Sequence, residues 1–370
     1  MEKSKIKKET YRDRFLDNLK NKYGARSNFY YFSLLLVSIC SLVVAWLLLA
    51  NNGKTAKFSD FFSLYGFQEF SVVILLFVVI TLLITLISYL KIYSKGNKSK
   101  FYAVYSSITH SQFFNKVSLY GMAGDVTLFG KMADRKIKDN LACDITYSKK
   151  FFEKVAFAIF GGVALIWSLF IMDMINILLY FVMLMAVTID LSFIIIVLLT
   201  RKNKTRGIAI ISKVCKMLYD MKIVKDYEKA FNKMVDKLLI YANSFNYSKA
   251  LIWVELASNL LIFFLKFLVV YLTMVNLVLA DSSLLGEVII KCYLLESVFM
   301  LYPLPRGILI YEIMFVYLFA SIIPNGFVFF VLMIYRIFDI VLPFVNYSIV
   351  GLIDLFVYKN NKKLNNESIS

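Results

Sequence analysis

The chain has 370 residues, 60% of them hydrophobic and 16% aromatic, with a mean hydropathy of +0.69 and a formal charge of +17. That apolar content exceeds what a water-soluble domain of this length carries and defines an all-α, polytopic membrane protein. The charge does not point to nucleic acid: the basic residues stand mainly in tails and loops beside apolar runs, where the positive-inside rule already expects them, and no basic face carries a recognisable binding module.

Residues 1–29 form a basic tail, with nine Lys or Arg against four acids, followed by a 21-residue apolar run from Tyr30 to Ala50. The run is too long for a signal-peptide core and lacks a small-x-small cleavage site, which predicts a retained first span with a cytoplasmic N-terminus. A bilayer core of roughly 30 Å needs about 20 apolar residues per helix. Six stretches meet that standard: about 30–50, 69–90, 152–172, 174–200, 250–280 and 325–357. The third and fourth, separated only by Asp173 and its neighbours, predict a tight hairpin. Residues 91–100, "KIYSKGNKSK", and the block 201–249 are basic and belong in the cytoplasm, as do both tails, which gives an even number of spans.

Between these runs lie two regions that do not read as clean spans. One is "FYAVYSSITHSQFFNKVSLYGMAGDVTLFGKMADRKIKDN"; the other covers Leu284 to Ile323 and contains "ESVFMLYPLPRGILIYEIMFVYLF". Each splits into two pieces shorter than a span. Irregular backbone at membrane depth is tolerated only where protein or a water-filled cavity covers it. The expectation is two broken-helix hairpins, possible re-entrant elements, the first entering from the cytoplasm and the second from outside, as an inverted repeat would place them. In the block 201–249, Ile211, Val214 and Leu218, then Phe231, Met234 and Leu238, recur at helical spacing among lysines, predicting one or two amphipathic cytoplasmic helices. The tail 358–370, "YKNNKKLNNESIS" from Tyr358, is polar and predicted to be disordered.

The residues with chemistry to offer are few. Cys40, Cys143, Cys215 and Cys292 lie far apart and indicate neither a disulfide framework nor a zinc site; His110 alone cannot make a His-based metal site or a serine-type triad. No metal and no cofactor is implied. In "YPLPRGILIYE", Pro303 and Pro305 cannot continue the helix from Leu295, but a proline suits the first turn of a new one. A restart there presents unpaired N–H groups and partial positive charge, with Arg306 beside it and Gly307 allowing close approach, a geometry for an anion such as a phosphate head group. The plainer alternative is a kink at a helix end with Arg306 reaching the interface. Asp190, Glu255, Lys266, Glu287, Lys291, Glu296, Glu312, Arg336 and Asp339 lie within apolar runs, where charges are costly and face the bundle interior or water. Glu287 and Lys291, spaced i, i+4, can pair with each other, and Glu255 lies near the cytoplasmic edge. Arg336 and Asp339, spaced i, i+3, share a face deep in the last span and need an internal partner, for which Glu312 is the candidate.

Pro305, Gly307 and Glu312, at offsets 0, +2 and +7, are followed some two dozen residues later by "YRIFDIVLP" with Tyr335, Arg336 and Pro343. This order and spacing resemble the transmembrane region of the lysylphosphatidylglycerol synthase family, also called the flippase-like domain. The likeness is best over residues 295–352 and extends to the cytoplasmic helix and the span after it. Family members carry a Pro-Gly-Gly-x-Gly-x-x-Glu element; here Arg306 and Leu309 replace two of the glycines. A first-half counterpart matches only as Asn115 with Gly124 and Asp125 in "GMAGDV", without its proline. The resemblance implies a flippase-like membrane domain over residues 30–357, which in fused members moves aminoacylated phosphatidylglycerol between leaflets of the cell membrane. The chain runs thirteen residues past the last span, leaving no room for the soluble synthase domain, so the expectation leans against an enzyme and toward a separately encoded lipid-modifying enzyme as a partner.

The leading expectation is a protein that binds and translocates a phospholipid. Pro305, Arg306, Gly307, Glu312, Arg336 and Asp339 would form the lipid or anion site, with Gly124, Asp125, Asp190 and Lys266 as secondary candidates. Two alternatives stay open: an ion-coupled transporter of a soluble solute, with carboxylates such as Asp190 and Glu312 as coupling sites, and a non-transporting scaffold whose block 201–249 docks a partner. No nucleophile–base pair or metal-ligand cluster argues for membrane-embedded catalysis.

Overall fold

A computed structural model describes residues 65–118, 122–171, 177–277, 282–301, 310–324 and 326–367, together with residues 40, 42, 43, 46, 59 and 63. Among the described residues every regular element is helical. The predicted tail 1–29 and nearly all of the predicted first span 30–50 lie outside them, as does Asp173.

Helix α1 (Phe67–Ser94) begins with Gly66 N–H donating to Glu69 Oε2 at 2.8 Å and stops where Gly96 adopts the left-handed conformation, φ 71°. It is apolar on all sides: Val73, Phe77 and Ile80 are buried, and Leu75, Leu82 and Leu86 are exposed. Such a helix suits a lipid environment rather than water. α2 (Phe101–Lys116) and α3 (Met122–Asp134) then form the first hairpin, which is drawn tight at one point. A Cβ on Gly124 would stand 2.7 Å from both Asn115 Cβ and the Ser111 carbonyl oxygen, so only glycine lets the two arms approach this closely.

α4 (Asp139–Ile171) and α5 (Ile177–Lys202) pack side by side as a hairpin requires, and the connection predicted to be tight lies outside the described residues. α4 starts thirteen residues before the predicted span. Hydropathy fades where Lys149 and Lys150 enter, whereas backbone hydrogen bonding continues through them. Asn203 alone separates α5 from α6 (Lys204–Asp220), capping it by accepting from Thr205 N–H at 3.1 Å and Arg206 N–H at 3.3 Å, while Gly207 backs directly onto Thr200. α7 (Tyr227–Asn243) is capped by Asp226, and α8 (Lys249–Asn276) by Ser248. The basic block is thus two helices: α6 buries Cys215 and α7 buries Leu238, Ile240 and Tyr241, while Met217, Tyr219, Met221 and Ile223 at the far tip are exposed.

A 3₁₀ turn (Ser282–Leu284) leads into α9 (Leu285–Leu301), and α10 (Ile310–Phe319) follows. At a rise of 1.5 Å per residue these arms are about 25 and 15 Å long, and neither crosses a roughly 30 Å core alone. They run antiparallel: Lys291 in α9 donates to Ser321, just beyond α10, at 2.5 Å. The last long element is α11 (Val328–Arg336), a π turn (Ile337–Val341) and α12 (Leu342–Glu367). α12 runs on through residues 358–367, where sequence predicts disorder; no proline or glycine interrupts those residues, so nothing stops the helix where its apolar content ends.

Five of these stretches are long and apolar enough to cross a membrane: Phe67–Ser94, Asp139–Phe170, Ile177–Lys202, Lys249–Asn276 and Val328–Phe356. They match five of the six predicted runs. Their basic ends gather at one end of the bundle. Lys95 at the end of α1 donates to the Asn246 carbonyl, Arg201 at the end of α5 to the Phe245 carbonyl at 3.4 Å, and Arg135 after α3 pairs at 2.5 Å with Asp354 of α12. The first hairpin therefore enters from this basic end, and the second, which follows the far end of α8, enters from the opposite one.

Candidate functional site

The second hairpin and the last long helix meet in a buried charge cluster. Glu312 stands in the first described turn of α10, where the helix dipole favours a carboxylate. Its Oε1 accepts from Arg336 Nη2 at 2.7 Å and Nε at 3.0 Å, the counter-charge that sequence proposes for Arg336. Both side chains are sealed, at 2% and 1% exposure. The guanidinium lies 3.9 Å from the centre of the Tyr311 ring, and Tyr311 stacks on Tyr335 at 5.6 Å with an interplanar angle of 9°. Tyr335 in turn donates its hydroxyl to Glu296 of α9 at 3.4 Å.

Asp339 does not join this pair. Pro343 cannot donate to the carbonyl four residues back and its ring pushes against that group, which belongs to Asp339. The chain answers with the π turn Ile337–Val341, whose widened coil separates two side chains that an α-helix would hold on one face. Asp339 is buried and pairs with Lys116, the last residue of α2. The last long helix thereby presents two ion pairs one turn apart, tied to different hairpins.

The other predicted residues are dispersed. Asp125 pairs with Lys150 of α4, beside Gly124 at its crossing with Asn115. Asp190 is buried in α5 and accepts from Lys154 of α4 at 2.5 Å. Lys266 of α8 lies over the Phe263 ring at 5.2 Å. Glu255 pairs with Lys91, which also donates to Ser148 Oγ at 2.7 Å, and Glu287 pairs with Lys291 at 2.9 Å. His110 is a buried packing residue that donates from Nδ1 to the Ser106 carbonyl at 2.8 Å and abuts Tyr347. Pro305, Arg306 and Gly307 lie outside the described residues, as does Pro303.

Sequence reasoning missed Lys91, Lys116, Lys150 and Lys154, the partners of four of its carboxylates. Lys91, Lys150 and Lys154 lie at or beside basic residues, where a lysine reads as an interfacial charge, and Lys116 is a lone lysine at the end of α2; the available signal was only that every buried carboxylate needs a cation. Among the described residues no group of three His, Cys, Asp or Glu is placed to hold a metal ion. What the arrangement offers is paired, neutralised charge in a dry interior, where an incoming ion can compete for either partner.

Fold and cluster together define a helical membrane protein with two broken-helix hairpins and buried ion pairs at their junctions. No family model, curated protein or solved structure matches the chain.

Proposed function

We propose that this chain is a lipid-handling transporter of the flippase-like kind, which binds a phospholipid head group between its hairpins and carries it between the leaflets of the cell membrane. The observation that carries the reading is the sealed Glu312–Arg336 pair at the start of α10, with Arg306 and Gly307 immediately before that helix in sequence. Arg306 and the N–H groups of the helix start would hold the phosphate, while Glu312, Arg336 and Asp339 orient the site or receive a cationic head-group moiety. An apolar cleft between α4 and α8, lined by Ile159, Phe160, Val163, Leu260, Leu261 and Phe264, offers a place for an acyl chain. The hairpins are re-entrant in this reading, the basic end of the bundle and both termini are cytoplasmic, and a separately encoded enzyme supplies a modified lipid. Leaflet-resolved lipid movement in proteoliposomes tests it: Arg306→Ala and Glu312→Gln are expected to slow movement by about tenfold or more. Equal rates for wild type, both variants and protein-free vesicles would refute it.

A second reading, an ion-coupled transporter of a soluble solute, draws on Asp190, which is 1% exposed and held by Lys154 midway along α5. It requires uptake that depends on an ion gradient and is abolished by Asp190→Asn.

A further inference from the structure

The first hairpin carries a second ion pair in the same relation to its neighbours as Glu312–Arg336. Asp125 stands in the first turn of α3, the second arm of its hairpin, and pairs with Lys150 on the next long helix, 25 residues on. Glu312 stands in the first turn of α10, the second arm of its hairpin, and pairs with Arg336 on the next long helix, 24 residues on. The cation opens the same short pattern each time: Lys150-Phe-Phe-Glu153 and Arg336-Ile-Phe-Asp339, a base, any residue, phenylalanine and an acid.

The surrounding elements repeat in the same order. α1, the α2–α3 hairpin and α4 make one unit; α8, the α9–α10 hairpin and the α11–α12 helix make the other, and the hairpins enter from opposite ends. Each hairpin's first arm also packs on the long closing helix of the other unit. α2 lies on α12 through Tyr105 and Asn346 at 2.9 Å and through the stacked rings of Phe113 and Tyr347 at 4.7 Å; α9 lies on α4 through Phe157 and Tyr293 at 4.6 Å. The two pairs differ in exposure. Asp125 and Lys150 are 29% and 27% exposed, whereas Glu312 and Arg336 are 1% and 2% exposed.

We infer that the two units are inverted copies of one another and that Asp125–Lys150 and Glu312–Arg336 are equivalent latches, released in alternation on opposite faces of the bundle. Each latch ties the second arm of a hairpin to the helix that closes its unit, and each closing helix also bears the first arm of the opposite hairpin. Releasing one latch therefore shifts a helix on which the other hairpin rests. Substitution at one latch has a defined sign at the other, because it favours the conformation in which its own side is open. In this conformation the latch nearer the basic end is partly exposed and the other is shut. Alternation as a transport cycle rests on the function proposed above; the reciprocal coupling of the two latches does not.

Hydrogen–deuterium exchange of the full chain in lipid nanodiscs tests it, with peptides covering residues 122–134 and 310–319 as readouts. Asp125→Asn is expected to speed exchange in 122–134 and slow it in 310–319, each by about twofold or more, and Glu312→Gln to do the reverse. The charge-reversed doubles Asp125→Lys/Lys150→Asp and Glu312→Arg/Arg336→Glu, which keep both pairs, should return both peptides toward wild type. Changes confined to the altered hairpin, or changes of one sign in both, would overturn the inference. If Glu312→Gln fails to fold, the slowing of 310–319 by Asp125→Asn decides alone. Reciprocal exchange without lipid movement would leave the latches standing and reject the lipid reading; lipid movement without reciprocity would do the opposite.

Discussion

Lys91 and Glu255 show how a buried charge is made tolerable. Lys91, 1% exposed near the end of α1, is held by Glu255 of α8 and Ser148 of α4, and its ammonium also lies 5.4 Å from the centre of the Tyr247 ring. Removing one partner strands the other in a dry site, whereas replacing both by apolar side chains removes the need for pairing. Lys91→Met is therefore expected to lower stability by about 3–5 kcal/mol, and Lys91→Met with Glu255→Leu to recover most of that loss; thermal unfolding in detergent measures both. Glu255 was legible as a charge near an apolar run. Its partner, 164 residues earlier, was not, because a lysine where an apolar run gives way to a basic loop looks the same whether it reaches outward or inward. Cys215 is a residue-scale case outside the spans. Burial against Met234, with the sulfurs 3.3 Å apart, pushes its thiol above the ordinary range, so less thiolate is present at neutral pH. Alkylation at Cys215 should stay slow near pH 7 and need a higher pH to accelerate than a solvent-exposed thiol does, read by mass spectrometry of the labelled peptide.

At the scale of elements, the π turn decides what the last long helix can reach. Its cause is local, since Pro343 disturbs the carbonyl of Asp339; its effect is tertiary, since Arg336 and Asp339 separate toward α10 and α2. Pro343→Ala should let the turn relax toward α-helix, raise helix stability by about 3 kcal/mol from propensity alone, and yet, if the chain moves lipid as proposed, impair that movement by drawing Asp339 off Lys116. Stability and transport measured on the same preparation separate these opposite effects. The sequence made this helix, α1, α5, α8 and the apolar part of α4 legible, because twenty apolar residues have few other uses. It did not disclose the early start of α4 or the continuation of α12, where the backbone stays helical through residues that hydropathy counts as loop or tail. Both broken hairpins were legible as runs that do not read as clean spans, while the close fit of the first hairpin's two arms, set by Gly124 against Asn115, depends on distances that no residue pattern records.

For the whole molecule, charge parity and packing point the same way. The ends of α1 and α5, the start of α8 and the Arg135–Asp354 pair gather at one end, as the basic segments require if that end is cytoplasmic. Lys222 and Lys225, exposed in the turn between α6 and α7, should then be cut by trypsin added to the cytoplasmic face of sealed vesicles and protected when it is added to the other. The candidate site was only half legible at this scale. Glu312 and Arg336 could be matched as opposite charges two dozen residues apart, but the tie from Asp339 to Lys116 joins the two halves of the chain.

The single-residue joint at Asn203 has a mechanical consequence. With α6 capped on that residue and Gly207 set hard against Thr200, α5 and α6 are coupled almost without slack. α5 also holds Asp190 to Lys154, one helical turn from Lys150 on α4. A tilt of about 5° in α5 would swing the tip of α6, about 25 Å away, by roughly 2 Å, making the basic helical pair a lever arm that reports at the basic end what happens inside the bundle.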